Sequence, residues 1–98
     1  MEKSKPHCPL STVKSLVRAG KLHLTITAQT DAARLGFTRQ SVAEEILCLE
    51  RQEFYKSMTT YRNSTVWQDV YRHSSRIGML YVKLTVIEDV LVVSFKEL

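Results

Sequence analysis

The first half of the chain carries apolar residues at the spacing of short helices. A first helix is predicted between Ser11, a typical N-cap, and Gly20, a typical helix stop that follows Ala19. The apolar positions between them share one helical face: Val13, Leu16 and Val17. The pattern therefore predicts a short amphipathic helix close to the start of the chain.

A short strand is predicted next, because apolar and polar residues alternate over six positions. Leu22, Leu24 and Ile26 are apolar, and the residues after each of them are polar: His23, Thr25 and Thr27. A second helix should then be capped by Thr27 or Thr30 and end before Gly36. This stretch indicates a half-buried strand that leads into a helix.

A third helix is predicted to begin at Thr38 or Ser41 and to end near Glu50. Ser41 and Glu44 have the spacing of a capping box. The apolar positions of this segment share a face: Val42, Ile46 and Leu49. All the predicted helices therefore lie before residue 51.

The chain after Phe54 reads as strand, since Thr, Val, Tyr, Trp and Ile dominate it. Breaks at 62–64, 73–78 and 88–89 divide it into four strands of a meander. The predicted fold class is α+β, with N-terminal short helices packed on a C-terminal antiparallel sheet of about four meander strands plus a short N-terminal strand. No linker or repeat interrupts the chain, so residues 1–98 are expected to form one domain.

The last predicted hairpin can be paired residue by residue. If Glu88 and Asp89 form a two-residue turn, Ile87 faces Val90, and counting back along both strands brings Tyr81 opposite Lys96. One face of this hairpin is then apolar and is predicted to be core: Leu80, Val82, Leu84, Val86, Leu91, Val93 and Phe95. The other face collects the polar groups together with two valines: Tyr81, Lys83, Ser94, Lys96, Val90 and Val92.

The same pairing extends to the earlier strands. A loop over 73–78 sets Arg72 opposite Met79, which places Arg72 and Gln68 on the face of Tyr81. A three-residue loop over 62–64 then places Lys56 and Met58, from the strand after Phe54, on the same face. The predicted face carries four cations, one tyrosine, one amide and one thioether: Lys56, Met58, Gln68, Arg72, Tyr81, Lys83 and Lys96.

Composition and charge narrow the kind of ligand that such a face would meet. Apolar residues make up 44% of the chain and charged residues 24%, which is typical of a folded domain. The net charge of +4 favours polyanions weakly, but residues 56–76 hold four cations against the single acid Asp69. This half of the chain is therefore predicted to meet phosphate.

The sequence offers no sign of a membrane segment, a disulfide framework or a metal site. It has neither a run of about 18 apolar residues nor the apolar stretch of a signal peptide, so the protein is expected to be cytoplasmic. Its two cysteines, Cys8 and Cys48, are far apart, and a CxxC motif is absent. We expect no metal and no cofactor.

RNA cleavage is a reaction that the groups on this face could perform. RNA carries its own nucleophile, the 2′-hydroxyl, so cleavage requires in-line geometry, proton transfer and stabilisation of the charge that grows on phosphorus. Lysine and arginine supply the charge stabilisation, and Tyr81 offers a hydroxyl for proton transfer. Gln68 cannot titrate and would orient the phosphate or sugar, while Met58 offers an apolar surface to a base.

Three segments of the second half resemble the MqsR toxins, a family within the RelE-like messenger-RNA interferases. They are FYKSMTTY at 54–61, TVWQDVYR at 65–72 and TVIEDVLVVSFKE at 85–97. The resemblance covers the whole chain, including the opening Met1-Glu2-Lys3, and is thinnest over 22–51 and 73–76. It implies a RelE-like fold and a toxin endoribonuclease that cleaves single-stranded mRNA near GC-containing triplets, without strict need for the ribosome. Cleavage is expected to be independent of metal, because the face holds no metal ligands and RNA supplies the nucleophile.

The resemblance also implies which residues act and what the partners are. The family's proposed catalytic residues fall on four positions here: Lys56, Gln68, Tyr81 and Lys96. Positions associated with RNA contact fall on three more: Tyr55, Met58 and Arg72. The implied partners are single-stranded mRNA and an MqsA-like antitoxin, with operator DNA contacted only indirectly through the complex with that antitoxin.

Two other classes of function remain open from the residues alone. A non-catalytic nucleic-acid-binding regulator would explain the charge, although a helix-turn-helix, an RNP motif and zinc ligands are missing. The second open class is an interaction module whose only partner is a protein. Lys83 reads as an ordinary solvated strand lysine, none of the three histidines is assigned a role, and Asp69 is expected on the opposite side of the sheet from Gln68.

Overall fold

Three short helices and a six-stranded sheet make up the fold. The computed structural model describes residues 1–98. The helices are α1 Leu10–Arg18, α2 Ile26–Arg34 and α3 Arg39–Leu47, and a 3-10 turn follows at Arg51–Glu53. The strands are β1 Glu2–Lys3, β2 Leu22–Leu24, β3 Phe54–Thr59, β4 Trp67–Ser75, β5 Gly78–Ile87 and β6 Asp89–Glu97.

The sheet has the strand order β1-β3-β4-β5-β6-β2. Strands β3 to β6 form an antiparallel meander, which confirms the four predicted strands. The predicted N-terminal strand is β2, but it pairs with β6 in parallel, so the sheet is mixed. The sequence pattern did not indicate β1, which pairs antiparallel with β3 and is only two residues long.

The helices cover one face of the sheet and bury the hydrophobic core against it. Val13, Val42 and Ile46 of the helices and Leu80 and Val82 of β5 are fully buried in one apolar cluster. The rings of Phe37 and Phe95 meet edge to face in this cluster, with their centres 5.0 Å apart. The opposite face of the meander is free of helices, and it carries the polar strand residues. No helix is long and apolar enough to cross a membrane.

Helix α2 starts earlier than predicted because Thr25 caps it, and α1 begins at Leu10 after Pro9 rather than being capped by Ser11. The Thr25 hydroxyl accepts a hydrogen bond from the backbone N–H of Ala28, so β2 ends at Leu24 and α2 already contains Thr27. Thr38 caps α3, as one of the two predicted starts, and its capping-box partner is Ser41 rather than the predicted pair of Ser41 and Glu44. Helix α3 ends at Leu47, earlier than predicted.

The predicted loop over 73–78 was wrong, because strand β4 continues through the first part of it. The register runs on to Ser75 opposite Gly78, so only two residues lie between the strands. His73 therefore lies in β4 on the core side, where its two ring nitrogens face carboxylates of Glu45 and Glu53 at 2.7 and 3.0 Å. These buried contacts tie α3, through Glu45, and the 3-10 turn, through Glu53, to the sheet.

The β5–β6 hairpin contains two irregularities that compensate for each other. Glu88 alone forms the turn, with φ at +66°, and Ile87 pairs with Asp89 rather than with Val90. A β-bulge at Val93 then adds one residue to β6 and restores the predicted pairing beyond it. The prediction for the residues before the bulge was therefore wrong: the side chains in the core cluster are Val90 and Val92, and Leu91 and Val93 are only half-buried.

The buried carboxylate of Asp69 anchors the N-terminal segment to the sheet. Asp69 lies on the core side of β4, opposite in direction to Gln68 as predicted, and is 2% exposed. Its two oxygens accept the backbone N–H groups of His7 at 2.9 Å and Cys8 at 3.1 Å. These bonds hold the chain between β1 and α1 against the strand that carries Gln68.

Candidate active site

The helix-free face of the meander gathers all seven side chains that were predicted to share it. This cationic face is defined by Lys56, Met58, Gln68, Arg72, Tyr81, Lys83 and Lys96. In an antiparallel sheet, directly opposite residues point to the same side, and so does every second residue of one strand. The ladders pair Lys56 with Val70, Met58 with Gln68, Arg72 with Tyr81 and Tyr81 with Lys96.

One row across the sheet runs from Arg72 through Tyr81 to Lys96. The Lys96 ammonium nitrogen lies 5.4 Å from the centre of the Tyr81 ring, within the range of a cation–π contact. At the other end of the row, the Arg72 guanidinium carbon lies 3.7 Å from the centre of the exposed Tyr55 ring. The Tyr81 side chain of this row therefore lies between two cationic neighbours, Arg72 and Lys96.

A β-bulge explains why Tyr55 reaches this face. The register between β3 and β4 shifts between Phe54 and Lys56, so that Tyr55 is the additional residue of β3. Phe54 packs its ring against Tyr71 on the core side, with centres 5.5 Å apart. Tyr55 is thereby available on the surface beside Arg72, 44% exposed.

A second row runs from Lys56 through Val70 and Lys83 to Ser94. Val70 is fully buried although it points to the cationic face, so the neighbouring side chains cover it. Burial lowers the pKa of Lys83, and the positive charges of Lys96 and Lys56 lower it further. Lys83 lies at the centre of the face, and its ammonium group gives up its proton more readily than that of a free lysine.

The carboxylate of Glu2 reaches the cationic face from β1. Glu2 pairs with Met58 in the sheet, and its Oε2 lies 2.7 Å from the Lys56 ammonium nitrogen. The hydrogen bond and the charge of Lys56 lower the pKa of Glu2. The hydrogen bond to Glu2 likewise raises the pKa of Lys56, against the opposing effect of burial.

The structure brings together every residue predicted from the sequence as catalytic or RNA-contacting, and it adds Glu2. Lys83 lies on this face as predicted, but it is half-buried at its centre rather than an ordinary solvated lysine. Glu2 was not considered, because the pairing of β1 with β3 spans more than fifty residues and a two-residue strand leaves no period.

The histidines and the clustered carboxylates lie away from the seven residues of the cationic face. His73 is bonded on the core side, and His7 stacks on Trp67 at the end of β4, 5.5 Å between ring centres. His23 bonds Asp89 near the β5–β6 turn at 2.7 Å. No group of three or more His, Cys, Asp or Glu side chains is arranged to hold a metal ion.

The cationic face is an open surface rather than a pocket. A cavity of about 1050 Å³ lies elsewhere, between the N-terminal segment and the start of β3, and is lined by residues such as Lys5, Arg51 and Tyr71. A shallow face built from strands suits an extended polymer better than a small molecule, which is usually enclosed on most sides. Its positive charge selects a polyanion such as a nucleic acid.

Comparison with known proteins gives a family and a close relative. Residues 5–97 match the model of the family described as "Motility quorum-sensing regulator, toxin of MqsA". The chain is also 50% identical over 97 residues to the mRNA interferase toxin MqsR of Escherichia coli (strain K12), and the match covers 99% of each chain.

Proposed function

The chain belongs to the MqsR toxin family, and from this premise we propose that it is a toxin endoribonuclease whose active site is the cationic face. The observation that carries the proposal is the convergence of Lys56, Gln68, Tyr81 and Lys96 on one helix-free side of the sheet. The relative that shares half of its residues is named an mRNA interferase, and this supports messenger RNA as the substrate. Cleavage of mRNA inhibits translation.

The proposed chemistry is attack by the 2′-hydroxyl of RNA on the adjacent phosphorus. The 2′-oxygen forms a bond to phosphorus as the bond to the 5′-oxygen breaks, so one proton leaves the nucleophile and one reaches the leaving group. The ammonium groups of Lys56 and Lys96 stabilise the negative charge of the phosphorane, because they are fixed on strands before the substrate arrives. A metal is not needed for any of these steps.

Tyr81 is proposed as a proton-transfer group and Gln68 as an orienting group. The Tyr81 hydroxyl stands in a row between two cations, Arg72 and Lys96, close to where the phosphate would bind. The Gln68 amide carries no charge and can both donate and accept hydrogen bonds, which suits it to hold the phosphate or the sugar. The two groups therefore have different tasks in the same step.

Three further residues are proposed to bind the RNA strand around the scissile bond. Tyr55 is exposed and available to stack on an unpaired base, and the Arg72 guanidinium contacts its ring. Met58 adds an apolar surface beside Gln68. Such stacking requires bases that are free of a duplex, which supports single-stranded mRNA as the substrate. A preference for GC-containing triplets is proposed from the family resemblance alone.

The family membership implies an antitoxin as a protein partner. We propose that this antitoxin is MqsA-like, since the matching family is described as the toxin of MqsA. Operator DNA is proposed to be contacted through that antitoxin rather than by the cationic face, which is assigned to RNA. We place the protein in the cytoplasm, where its mRNA substrate is found.

The proposal is tested by incubating the purified protein with a single-stranded RNA that contains GC triplets. Lys56→Ala and Lys96→Ala should each lower the cleavage rate by about 10²-fold or more, as removal of an oxyanion-stabilising group does. Lys21→Ala is the matched control, because Lys21 is exposed between α1 and β2, away from the cationic face. Circular dichroism must show that all variants are folded.

Strand scission with the wild type that both active-face variants lose would support the proposal. If RNA binds but is never cut, even in the presence of translating ribosomes, the protein is instead a non-catalytic RNA-binding regulator. If neither binding nor cleavage responds to Lys56→Ala, the cationic face is not the RNA site.

A further inference from the structure

Glu2 is the only carboxylate that forms a salt bridge with a cation of the cationic face. Three other acids lie on strands, and none contacts these cations. Asp69 points to the core side, and Glu97 alternates with Lys96 and so points away. Asp89 lies on the same side of the sheet as Tyr81, but at the β5–β6 turn, where it is bonded to His23. A carboxylate in contact with one of the four cations is expected to orient the side chain of that cation. That cation is Lys56, at 2.7 Å.

The position of Glu2 is fixed by the backbone on both sides. Before it, the carbonyl of Met1 accepts the backbone N–H of Thr59 at 3.0 Å. After it, Lys3 pairs with Ser57, and the backbone N–H groups of His7 and Cys8 are held by Asp69. The carboxylate is therefore carried by a sheet strand with defined register rather than by a loose segment.

The side chain of Lys56 has several neighbours, but only one of them is negatively charged. Arg72 on β4, Lys83 on β5 and Lys96 on β6 share its face and repel its charge, and Tyr55 and Tyr81 offer aromatic rings or hydroxyls. A lysine side chain has four rotatable bonds, and repulsion alone would turn it outward to water. Glu2 gives the ammonium one defined position instead.

We propose that Glu2 is a positioning residue for RNA cleavage, whose carboxylate holds the Lys56 ammonium on the cationic face in the orientation that meets the scissile phosphate. This inference rests on the proposed function and deepens it. Glu2 Oε2 is engaged by Lys56, and the phosphate would approach the remaining N–H donors of the ammonium. Part of the entropic cost of ordering Lys56 is then met before RNA binds.

The ion pair also keeps Lys56 protonated over a wider pH range. Loss of the Glu2 charge removes the hydrogen bond that raises the pKa of Lys56, so the lysine should begin to lose its proton at lower pH. Lys56 can stabilise a phosphorane only in its charged form. The alkaline decline of the cleavage rate should consequently move to lower pH when Glu2 is neutralised.

The experiment compares wild type, Glu2→Gln and the matched control Glu44→Gln, which changes an exposed acid on α3 away from the face. Glu2→Gln should lower kcat by about tenfold and leave KM within about twofold, since positioning acts on the reacting geometry rather than on overall RNA binding. Its alkaline limb should shift to lower pH. Glu44→Gln should behave as wild type in both measurements.

Two backgrounds separate action through Lys56 from a general effect on the fold. In Lys56→Met, the added Glu2→Gln should change kcat no further, because the group that Glu2 positions is gone. In Lys56→Arg, whose guanidinium does not lose its proton in the accessible range, Glu2→Gln should no longer move the alkaline limb. Further loss of kcat in the Lys56→Met background would overturn the inference.

The failure of this inference can be told apart from failure of the proposed function. Wild-type cleavage with unchanged kcat and pH profile in Glu2→Gln removes the role of Glu2 and leaves the active site in place. Absence of cleavage by wild type, with or without ribosomes, removes both. Thermal melting of each variant shows whether a loss of rate reflects unfolding.

Discussion

Tyr81 lies directly opposite Lys96 across the β5–β6 ladder, and the Lys96 ammonium nitrogen is 5.4 Å from the centre of the Tyr81 ring. The substitution Tyr81→Phe keeps the ring and this cation–π contact but deletes the hydroxyl. Because the proposed role of Tyr81 is proton transfer, the cleavage rate should fall by about 10²-fold. Single-turnover cleavage of a short RNA measures this change.

The matched control for Tyr81→Phe is Tyr61→Phe, since Tyr61 is fully exposed in the loop between β3 and β4. This variant should cleave RNA as fast as wild type. An unchanged rate in Tyr81→Phe would reduce Tyr81 to a packing or stacking residue.

The proposed mechanism predicts that cleavage does not depend on a divalent metal. The activity should persist in EDTA, and the 5′ fragment should end in a 2′,3′-cyclic phosphate or a 3′-phosphate, because the 2′-oxygen is the nucleophile. Mass spectrometry of the fragments identifies these ends. Activity that stops on chelation and returns with magnesium would contradict this prediction.

Lys83 offers a test in which stability and activity should move in opposite directions. Burial and the charges of Lys96 and Lys56 lower the pKa of Lys83. The protonated lysine is therefore less stable in the folded protein than in the unfolded chain, and its charge reduces the free energy of unfolding. Lys83→Met removes a disfavoured cation and should raise Tm at neutral pH. The same change should lower RNA cleavage, because the centre of the cationic face loses a charge.

Differential scanning calorimetry and the RNA assay measure the two effects of Lys83→Met. Lys5→Met, an exposed lysine of the N-terminal segment, serves as the comparison and should leave the cleavage rate near that of wild type. A Tm that falls in Lys83→Met would show that the lysine stem contributes more by packing than its charge costs.

The buried contact between His73 and two glutamates predicts a loss of stability in acid. Burial alone would raise the pKa of Glu53, but backbone N–H groups of Ser74 and Glu50 and the ring of His73 together lower it. A carboxyl group with a lowered pKa stabilises the fold above its unfolded pKa of about 4.3, and this contribution is lost as pH falls through the lower folded value. Urea unfolding from pH 7 to pH 3 should show that decline.

Two substitutions isolate this contribution. Glu53→Gln should flatten the acid limb of the stability profile. His73→Ala should lower the free energy of unfolding at pH 7 by about 3 kcal/mol, because it leaves two largely buried carboxylates without their partner. An equally steep acid limb in Glu53→Gln would assign the decline to other carboxyl groups.

Asp69→Asn should loosen the N-terminal segment. An amide has one oxygen to accept hydrogen bonds, so one of the two backbone N–H groups, of His7 or Cys8, loses its buried acceptor. We expect faster hydrogen exchange of these amides and a loss of about 1–3 kcal/mol in the free energy of unfolding. Exchange rates in α3, which makes no contact with Asp69, should change only in proportion to the global stability.

Most of the site followed from the alternation of side chains along long strands. Whether two residues of neighbouring strands, such as Lys56 and Gln68 or Arg72 and Tyr81, share a face depends only on the parity of the connection. Errors of two residues, as in the loop over 73–78, preserve that parity and so leave the face intact. The one-residue error at the Glu88 turn does not change the pairing of residues after Val93, because the bulge there compensates for it.

The features that sequence reasoning missed depend on contacts between distant parts of the chain. The place of His73 is set by Glu45 and Glu53, which local propensity does not report. The cap of α2 by Thr25 was hidden because Ile26 continued the apolar alternation of β2. The pairing of Glu2 with β3 leaves no periodic signal at all, since a strand of two residues has no period.

The strand order has a consequence for self-association. The meander would end in the open backbone edges of β3 and β6, which could pair with a second unfolded or folded chain. Short strands from the first 24 residues cover part of each edge: β1 pairs with residues 57–58 of β3, and β2 pairs with residues 90–92 of β6. The segment before residue 25 therefore limits edge-to-edge aggregation of the sheet, and a change that releases it should both promote precipitation and remove Glu2 from the cationic face.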